Sequence, residues 1–343
     1  MREMDEAARI AAARAGDQQA FSELTERHRR ELQVHCYRIL GSLHDAEDMV
    51  QETLLRAWRR LSTFEGRASF RAWLYTIATN ACLDALDRRP RRTLPPARYP
   101  PANPRAPFAP LIVEPIWIEP FPDELLAGMD TNPEARYTAH ESVTLAFLVT
   151  LQTLPPRQRA VLILRDVLDW HASEVAALLG LTVPAVNSAL YRARTTLNRH
   201  YHAGGVEAAR VPPPTDEPTR TLLTRYVRAW EEADVVGLTA LLKEDAALSM
   251  PPTPSWYQGR AAIGTFFAAA IFDGAGRDRW CLRPVGANAQ PAFAMYQRDP
   301  SAGVYRAFGI QVVTLDSGQV QAITSFNDPT VLAPFGVPET LNI

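Results

Sequence analysis

The segment from Leu154 to Tyr201 constrains the fold of this chain more than any other part of it. Pro155-Pro156 can open a first helix, because the missing proline N–H is not needed there and φ is already helical. A second short helix is predicted over 172–179, and Gly180 supplies the left-handed residue that ends it. Thr182 can then cap a third helix. Three short helices with a tight turn before the last predict a helix-turn-helix.

The third helix of this segment has two different faces. Its apolar positions recur at helical spacing and are predicted to point inward, namely Val186, Ala189, Leu190 and Leu197. The other face begins with small and amide side chains, and arginines follow one or two turns later. That order suits a helix that reads base edges with its tip and holds phosphate behind it. The residues that this spacing leaves on the outer face are Ala185, Asn187, Ser188, Arg192 and Thr195. An amphipathic hairpin with merely solvated arginines is the alternative that this segment leaves open.

Composition limits the class of protein. A chain of 343 residues is long enough for two or three domains, and its 47% hydrophobic and 22% charged residues are typical of folded soluble domains. The formal net charge of −2 excludes coating of nucleic acid by bulk charge, but not local basic faces. The absence of a bilayer-length apolar run and of a signal peptide predicts a cytoplasmic protein. Cys36, Cys82 and Cys281 are widely spaced, which favours neither a disulfide framework nor a zinc site, and we expect no cofactor.

Proline-rich stretches divide the chain into parts. A dense helical block is predicted over 15–90, followed by an extended, proline-rich linker over 91–132. A helix over 133–152 leads into the helix-turn-helix, so that a second helical domain spans 133–203. After a second linker, 204–218, helices and then alternating strand patterns predict an α+β domain over 219–335. The predicted fold class is therefore multidomain, with two all-α domains and a carboxy-terminal α+β domain.

The clearest amphipathic helix of the first block spans Asp45 to Leu61, and Asp45 is its predicted N-cap. Burial in a core explains its apolar face. The outward face is not required by the core, and it carries Asp48, Gln51, Glu52 and Arg56. That face is either solvated or a docking surface for a basic helix of a partner.

A loop and a further helix follow this amphipathic helix. The loop from Phe64 to Phe70 combines an aromatic side chain that looks exposed with a flexible Gly-Arg pair. Capture of single-stranded bases requires an aromatic surface on which a base stacks, a backbone that nucleic acid can approach closely, and an amide that binds base edges. The aromatic residues of the loop, its Gly66-Arg67 pair and the outward Asn80 have these features. Aromatic side chains that simply fill the core are the alternative, which composition alone favours.

Two separated parts of the sequence resemble one bacterial family. Residues 43–58 (LHDAEDMVQETLLRAW) and 71–80 (RAWLYTIATN) resemble region 2 of the extracytoplasmic-function (ECF) RNA polymerase sigma factors. Residues 154–159 (LPPRQR) and 185–194 (AVNSALYRAR) resemble region 4 of the same family. The order of these runs and the length of the connector also fit, and the resemblance covers about 17–201.

The resemblance implies a role for each surface. In the family, the region 2 helix binds the clamp helices of the polymerase β′ subunit, which implies that role for Asp48, Gln51 and Glu52. The following loop and helix would read melted bases of the −10 element, which implies that role for Phe64, Arg67, Ser69, Phe70 and Asn80. Region 4 would read the −35 element in the major groove, which implies DNA contacts for Thr182, Pro184, Ala185, Asn187, Ser188, Arg192 and Arg194. The linker would thread through the polymerase toward the RNA exit path. Core RNA polymerase, through β′ and β, and promoter DNA are thus the implied partners, and an anti-sigma factor is a further one.

The carboxy-terminal part resembles a SnoaL-like cone of the NTF2 type, as in the SigG-like subgroup of these sigma factors. The resemblance rests on 226–234 (YVRAWEEAD) and 255–263 (SWYQGRAAI). Some relatives of such cones are enzymes. An acid–base site here would have to rest on Asp, Glu or Tyr, such as Asp234, Asp245 or Tyr257, because all seven histidines precede this domain. We therefore expect a regulatory domain, or one that senses a small-molecule ligand, rather than an enzyme.

Three functions remain to be separated. The first is a sigma factor that acts only with polymerase and has no catalytic activity of its own. The second is a stand-alone helix-turn-helix regulator, which would bind duplex DNA tightly without polymerase. The third is a SnoaL-type enzyme fused to a DNA-binding region, which would turn over a small molecule and ignore polymerase.

Overall fold

The structure is a computed structural model that describes residues 6–112, 114–127, 140–203, 216–273 and 277–342. The chain divides into two compact units. The first comprises Met1–Arg92, Leu125–Ser142 and Thr150–Gly204, and the second comprises Thr93–Glu124, Val143–Val149 and Gly205–Ile343. Residues 133–139, where a helix was predicted to begin, lie outside the described residues.

Helices make up most of the first 203 residues. They are α1 (Glu6–Arg14), α2 (Gln18–Leu40), α3 (Leu43–Arg60), α4 (Phe70–Leu86), α5 (Leu145–Thr153), α6 (Pro156–Leu162), α7 (Ala172–Leu179) and α8 (Val183–Ala203). The helix predicted over 133–152 is interrupted: residues 140–141 are helical, a turn follows over 142–144, and α5 begins only at Leu145.

The amphipathic helix of the first block is confirmed as α3, but its predicted N-cap is wrong. Ser42 has extended backbone angles, and its hydroxyl accepts a hydrogen bond from the backbone N–H of Asp45 at 3.0 Å. The helix therefore begins one turn earlier than expected, and Asp45 lies inside its first turn. The predicted core face is buried at Ala46, Val50 and Ala57.

The predicted helix-turn-helix is confirmed. α6 begins after Pro155 and continues into one π-helical turn, Ile163–Val167. α7 ends at Gly180, which has a φ of 63°. The Thr182 hydroxyl accepts a hydrogen bond from Ala185 N at 3.3 Å, as expected of a cap. The four apolar residues predicted to face inward from α8 are buried: Val186, Ala189, Leu190 and Leu197.

The second unit contains the predicted α+β domain. Its helices are α9 (Glu217–Glu231), α10 (Val235–Ala240) and α11 (Arg260–Phe266), and its strands are β1 (Leu242–Ser249), β2 (Trp256–Gln258), β3 (Trp280–Ala287), β4 (Gln290–Asp299), β5 (Val304–Asp316), β6 (Gln319–Phe326) and β7 (Thr340–Asn342). The sheet order is β2-β1-β6-β5-β4-β3, and β7 pairs with β5. β1 and β6 run parallel, and the other neighbours are antiparallel. Aromatic residues of α9, α11 and the sheet form its core, among them Tyr226, Trp230, Phe266, Phe267 and Phe293.

The proline-rich linker over 93–124 belongs to this second unit. It has little regular structure beyond two single turns, Pro95–Ala97 and Asp123–Leu125. No single helix in the described part of the chain is both long and apolar enough to span a membrane, although α7 and α8, which bend by 100°, meet that test together.

Candidate functional site

The outward face of α3 forms one wall of an open groove. The groove has a volume of about 690 Å³ and is lined by Asp48, Met49, Gln51, Glu52, Leu55, Arg56, Ala81, Asp84, Ala85, Arg88 and Arg89. All four residues of the predicted outward face are therefore brought together. Residues from the end of α4 complete the groove, and the sequence analysis did not find them, since nothing local shows that α4 lies beside α3.

Charges within this groove are partly paired. Arg56 Nε donates to Glu52 Oε1 at 2.6 Å, and Arg56 Nη1 donates to Asp84 Oδ2 at 3.1 Å. The hydrogen bonds that Arg56 donates, first to Glu52 and then to Asp84, raise the pKa of Arg56. Gln51 is exposed, and Asp48 is half-buried. The groove thus carries one amide and balanced charges, with acidic groups at Asp48, Glu52 and Asp84 and basic groups at Arg56, Arg88 and Arg89, beside an apolar strip.

A buried ion cluster lies behind the start of α3. Arg92 donates to Asp45 Oδ2 from Nε at 3.1 Å and from Nη2 at 2.7 Å, and Arg89 contacts the other carboxylate oxygen. Asp45 and Arg92 are both buried. The cluster ties the segment after α4 to the first turn of α3 and so fixes two walls of the groove.

The loop before α4 differs from the expectation in one respect. Phe64 and Phe70 are only 7% and 1% exposed, and their rings meet edge to face at 5.7 Å. Phe64 also packs on Trp73 at 5.2 Å. The expectation of an exposed stacking ring at this loop is wrong, because the two phenylalanines and Trp73 fill one apolar cluster.

The polar residues predicted at the same loop are accessible. Arg67 is exposed and pairs with Glu65 at 2.6 Å. Ser69 is exposed but already caps α4 by accepting from Ala72 N at 3.1 Å. Asn80 is exposed on α4.

The predicted DNA-contact face of α8 is open to solvent. Asn187, Ser188 and Arg192 are exposed, as are Thr182 and Pro184, and Ala185 is half-buried. Arg194 is exposed as well, but it donates to both oxygens of Asp166 at 2.7 and 2.8 Å. Its charge is therefore partly neutralised within the domain, which the sequence spacing did not predict.

One exposed aromatic of α8 was not among the predicted contacts. Tyr191 is 73% exposed, one turn after Asn187 and Ser188. Its position on the polar face could have been inferred from the helical spacing, because 187, 188 and 191 share one face.

The linker is held along β2 of the second unit. Ala102 N donates to the Trp256 carbonyl at 2.8 Å, and the Trp256 indole donates to the Tyr99 carbonyl at 2.7 Å. Phe108 packs edge to face on Phe266 with ring centroids 5.5 Å apart. The linker thus covers the exposed edge of β2, which would otherwise present unpaired backbone groups.

The turn between β3 and β4 holds the end of the linker. Asn288 exchanges two hydrogen bonds with Phe121, from its N–H to the Phe121 carbonyl at 2.8 Å and from Phe121 N to its Oδ1 at 3.0 Å. Its Nδ2 donates to the Val143 carbonyl at 2.8 Å, and Gln290 Oε1 accepts from Leu145 N at 3.0 Å. We call residues 287–290 the hairpin clasp. It binds the linker and the start of α5 at once.

Asp123 adds a titratable group to the hairpin clasp. Its Oδ1 accepts from Ala289 N at 2.7 Å, and it lies so close to Gly286 that a Cβ there would meet Oδ2 at 2.6 Å. Burial raises the pKa of Asp123 to about 6, although the Ala289 hydrogen bond opposes the shift. Because the pKa is raised on folding, the stabilisation is complete below about pH 4 and is lost as the pH rises through 6.

We therefore expect Asp123→Asn to stabilise the second unit near neutral pH. Asparagine keeps the acceptor oxygen and removes the charge, so the melting temperature should rise by about 2–5 °C at pH 7.5 and much less at pH 4.5. Thermal unfolding at both pH values measures the difference, with Glu124→Gln, an exposed neighbour, as the control. An equal change at both pH values would contradict the assignment.

The three acid–base candidates of the carboxy-terminal domain have separate surroundings. Asp234 is exposed and caps α10 by accepting from Gly237 N at 2.8 Å, as expected. Asp245 is exposed on β1, whereas Tyr257 is buried and stacks on Phe266 at 4.2 Å. Within the described residues, no group of three or more His, Cys, Asp or Glu side chains could hold a metal ion.

The core of this domain contains polar groups as well. The Tyr226 hydroxyl donates to Gln311 Oε1 at 2.5 Å. Among the described residues, Gln311 Nε2 and the indole nitrogen of Trp280 are buried without an acceptor. Both are hydrogen-bond donors, and both lie on strands that face α9.

Comparison with known proteins agrees with this arrangement. The sequence matches three family models: Sigma-70 region 2 at residues 7–92, Sigma-70, region 4 at 144–197, and the SnoaL-like domain at 223–323. The chain is 43% identical over 329 residues to ECF RNA polymerase sigma factor SigG of Mycobacterium tuberculosis, covering 96% of this chain and 86% of that protein. It is 31% identical over 200 residues to ECF RNA polymerase sigma factor SigE of Mycolicibacterium smegmatis, covering 57% of this chain and 67% of that protein.

A solved structure shares the fold. The crystal structure of the Mycobacterium tuberculosis extracytoplasmic function sigma factor SigJ superposes with a TM-score of 0.59 at 22% identity, covering 91% of this chain and 98% of that one. The paired helical modules and the fused α+β domain define a sigma factor of the Sigma-70 class. This chain belongs to the ECF sigma factor family, in the form that carries a carboxy-terminal SnoaL-like domain. The predicted family and fold class are confirmed.

Proposed function

We propose that this chain binds core RNA polymerase and directs it to a set of promoters, without catalysing a reaction itself. Two observations carry the proposal: an open groove on α3 that is lined by Asp48, Gln51 and Glu52, and an exposed polar face on α8. The relatives named as RNA polymerase sigma factors support the same role. RNA synthesis would remain the chemistry of the polymerase, and this chain would supply promoter choice and strand opening.

The groove on α3 is the proposed polymerase contact. Asp48, Gln51 and Glu52 would face the arginine-rich clamp helices of the β′ subunit, where opposite charge favours encounter and sets the register. Arg56, which also binds Asp84, holds the Glu52 carboxylate in place. The apolar strip at Met49 and Leu55 would supply the buried centre of the interface.

The loop before α4 is the proposed reader of the −10 element. Arg67 and Asn80 are accessible and would contact phosphate and a flipped base. Ser69 would contact DNA through its hydroxyl, either while that hydroxyl still accepts the hydrogen bond that caps α4 or after that bond is broken. Phe64 and Phe70 form the apolar wall behind the loop, so a role in stacking for either ring requires the loop to open.

Transcription in vitro tests the proposal. Purified protein added to core polymerase should start RNA chains at discrete genomic sites, and mapped start sites should share two upstream elements. A protein that shifts duplex DNA equally well without polymerase would favour the stand-alone regulator. Failure to initiate at any site, even after removal of residues 205–343, would contradict the proposal.

The face of α8 is the proposed reader of the −35 element. Ala185, Asn187 and Ser188 would approach base edges, and the amide at Asn187 suits adenine. Arg192 would hold phosphate. We expect Arg192→Ala to weaken promoter binding by about tenfold on every sequence and to lower the magnitude of the salt slope by about 1.

Arg194→Ala is the matched control for this prediction, because Arg194 already pairs with Asp166. It should have the smaller effect on binding. Fluorescence anisotropy of the holoenzyme on promoter fragments, measured over a range of salt concentrations, gives both quantities. If the loss for Arg192→Ala were confined to one base position, Arg192 would be a base reader instead.

The SnoaL-like domain is the proposed regulator of this activity, replacing or supplementing an anti-sigma factor. The supporting observation is that it holds the linker, through β2 and through the hairpin clasp, so that the linker is not free to enter the polymerase. We expect Asn288→Ala, which removes two side-chain hydrogen bonds of the clasp, to raise transcription several-fold at limiting polymerase. The matched control is Asn327→Ala, outside the clasp. Unchanged output from Asn288→Ala would contradict this regulation.

Sensing of a small-molecule ligand is a second candidate role for the same domain. The buried donors at Trp280 and Gln311 favour it, because buried polar groups are normally satisfied. A ligand that binds these two donors would be a largely apolar small molecule with hydrogen-bond acceptors.

A further inference from the structure

Two arginines of α8 differ in what they contact. Arg192 is exposed, and its side chain has no hydrogen bond or ion pair with any residue that the structure describes. Arg194 is also exposed, but its Nε and Nη2 donate to the two carboxylate oxygens of Asp166 at 2.8 and 2.7 Å. These hydrogen bonds raise the pKa of Arg194. One arginine is therefore available to a partner, and the other is held within region 4.

The turn that carries Asp166 is fixed by its own backbone hydrogen bonds. Asp166 lies in the π-helical turn Ile163–Val167 at the end of α6. Leu168 N donates to the Ile163 carbonyl and Trp170 N donates to the Leu164 carbonyl, both at 3.0 Å. Ile163 and Leu164 are buried. Asp166 is therefore held in place, and its two carboxylate oxygens orient the guanidinium of Arg194.

Arg194 occupies a position on α8 from which a side chain can reach DNA. It follows Asn187 by two helical turns, which places it on nearly the same side of the helix, about 10 Å further along the axis at about 1.5 Å per residue. Asn187 is a proposed base reader, and recognition helices hold phosphate behind the residues that read bases. A free Arg194 would therefore be well placed to bind phosphate.

A carboxylate and a phosphate bind a guanidinium in the same way. Each presents two oxygens to the planar fork of N–H donors, so Arg194 cannot give the same two donors to Asp166 and to DNA at once. The pair is accessible to water, with side chains that are 58% exposed at Arg194 and 28% exposed at Asp166. Arg194 can therefore exchange Asp166 for a phosphate, but each such contact must first break the bond to Asp166.

We propose that Asp166 competes with DNA phosphate for Arg194 and so weakens the binding of region 4 to DNA of every sequence. Contacts with phosphate supply the part of the affinity that does not depend on sequence. Weakening one of them lowers the amount of protein retained on non-promoter DNA and leaves base contacts a larger share of the affinity. The proposal rests on the proposed role of α8 in DNA binding.

Asp166→Asn tests the competition, with Asp169→Asn as the matched control. Asparagine has nearly the same shape as aspartate, but it lacks the charge and one of the two acceptor oxygens. Asp169 is exposed, and its side chain has no partner in the described part of the chain. Its φ of 53° is one that asparagine tolerates well. Both variants remove one negative charge from the same part of region 4, and only Asp166→Asn releases Arg194.

Fluorescence anisotropy of the holoenzyme, measured over a range of salt concentrations, gives the affinity and its salt slope. We expect Asp166→Asn to bind a promoter fragment and a random-sequence duplex about three- to tenfold more tightly, and to raise the magnitude of the slope by about 0.9, the value for one additional phosphate contact. Asp169→Asn should match the wild-type protein in both quantities.

A double variant shows whether the gain acts through Arg194. Asp166→Asn combined with Arg194→Ala should bind DNA as Arg194→Ala alone does, because no arginine is released. A gain that persists without Arg194 would show that Asp166 repels DNA directly. Weaker binding by Asp166→Asn would show that the pair only orients α8. Either result would overturn the proposal.

A second measurement separates this competition from the proposed function. The full chain without polymerase is titrated with the random-sequence duplex at low ionic strength, where phosphate contacts are strongest. Circular dichroism verifies that each variant is folded, and Asp166→Ala repeats the test if Asp166→Asn is not. If the Asp166 variant gains no affinity over Asp169→Asn, the competition is absent whether or not the protein binds polymerase. A gain that requires Arg194, in a protein that never starts RNA chains with polymerase, would contradict the proposed function alone.

Discussion

Replacing Gln51 and Glu52 together with alanine should weaken binding to core RNA polymerase at least tenfold, which corresponds to about 1.4 kcal/mol or more. Both residues line the groove between α3 and α4, and Glu52 is held in place by Arg56. At an interface with an arginine-rich helix, the variant loses one carboxylate and one amide, and leaves the partner arginines unpaired. Copurification and a titration by fluorescence anisotropy measure the loss.

Glu47→Ala is the control for this double substitution. Glu47 is an exposed acidic residue of the same helix, but it does not line the groove. Its removal changes the net charge in the same direction without touching the proposed contact. If the double variant bound polymerase as well as Glu47→Ala does, the assignment of the α3 face would be wrong.

The second large effect is expected for the stability of region 2. Asp45→Ala should lower the free energy of unfolding by about 3–5 kcal/mol, because it removes a buried carboxylate to which Arg92 donates two hydrogen bonds. The carboxylate accepts two hydrogen bonds from Arg92 and a contact from Arg89. Urea unfolding followed by circular dichroism gives the change.

An exposed ion pair in the same region provides the comparison. Asp84→Ala removes the contact to Arg56, which is accessible to water, and should cost less than about 1 kcal/mol. Similar losses for Asp45→Ala and Asp84→Ala would show that the Asp45 cluster is well solvated. Asp45→Asn should fall between the two, since it keeps one acceptor oxygen.

The features predicted correctly from the sequence are mostly those that depend on the spacing of residues within one helix. The helical spacing of Val186, Leu190 and Leu197 identified the buried side of α8, and all three are buried. Gly180 marked the end of α7, because a left-handed φ is strained for other residues. The outward residues of α3 were found by the same reasoning, since burial of one helix face leaves the other for water or a partner.

The predictions were wrong for residues whose side chains can pack or pair with more than one part of the chain. Phe64 follows polar residues and looks exposed, yet it completes a cluster with Phe70 and Trp73. Asp45 is a residue type that suits an N-cap, but Ser42 occupies that position. Asp45 instead binds Arg89 and Arg92, which lie more than forty residues further along the chain. Nothing within one turn of the chain distinguishes these outcomes.

The amino-acid sequence alone determined the order of the modules, the limits of the helix-turn-helix helices, and the faces that the proposed polymerase and promoter contacts would use. These depend on interactions within a few residues, such as caps, turns and helical spacing. Only the tertiary structure decided that the linker packs on β2 and the hairpin clasp, and that Arg194 binds Asp166. Such contacts join residues 28 to 167 positions apart, and their free energy depends on which surfaces meet after the local elements have formed.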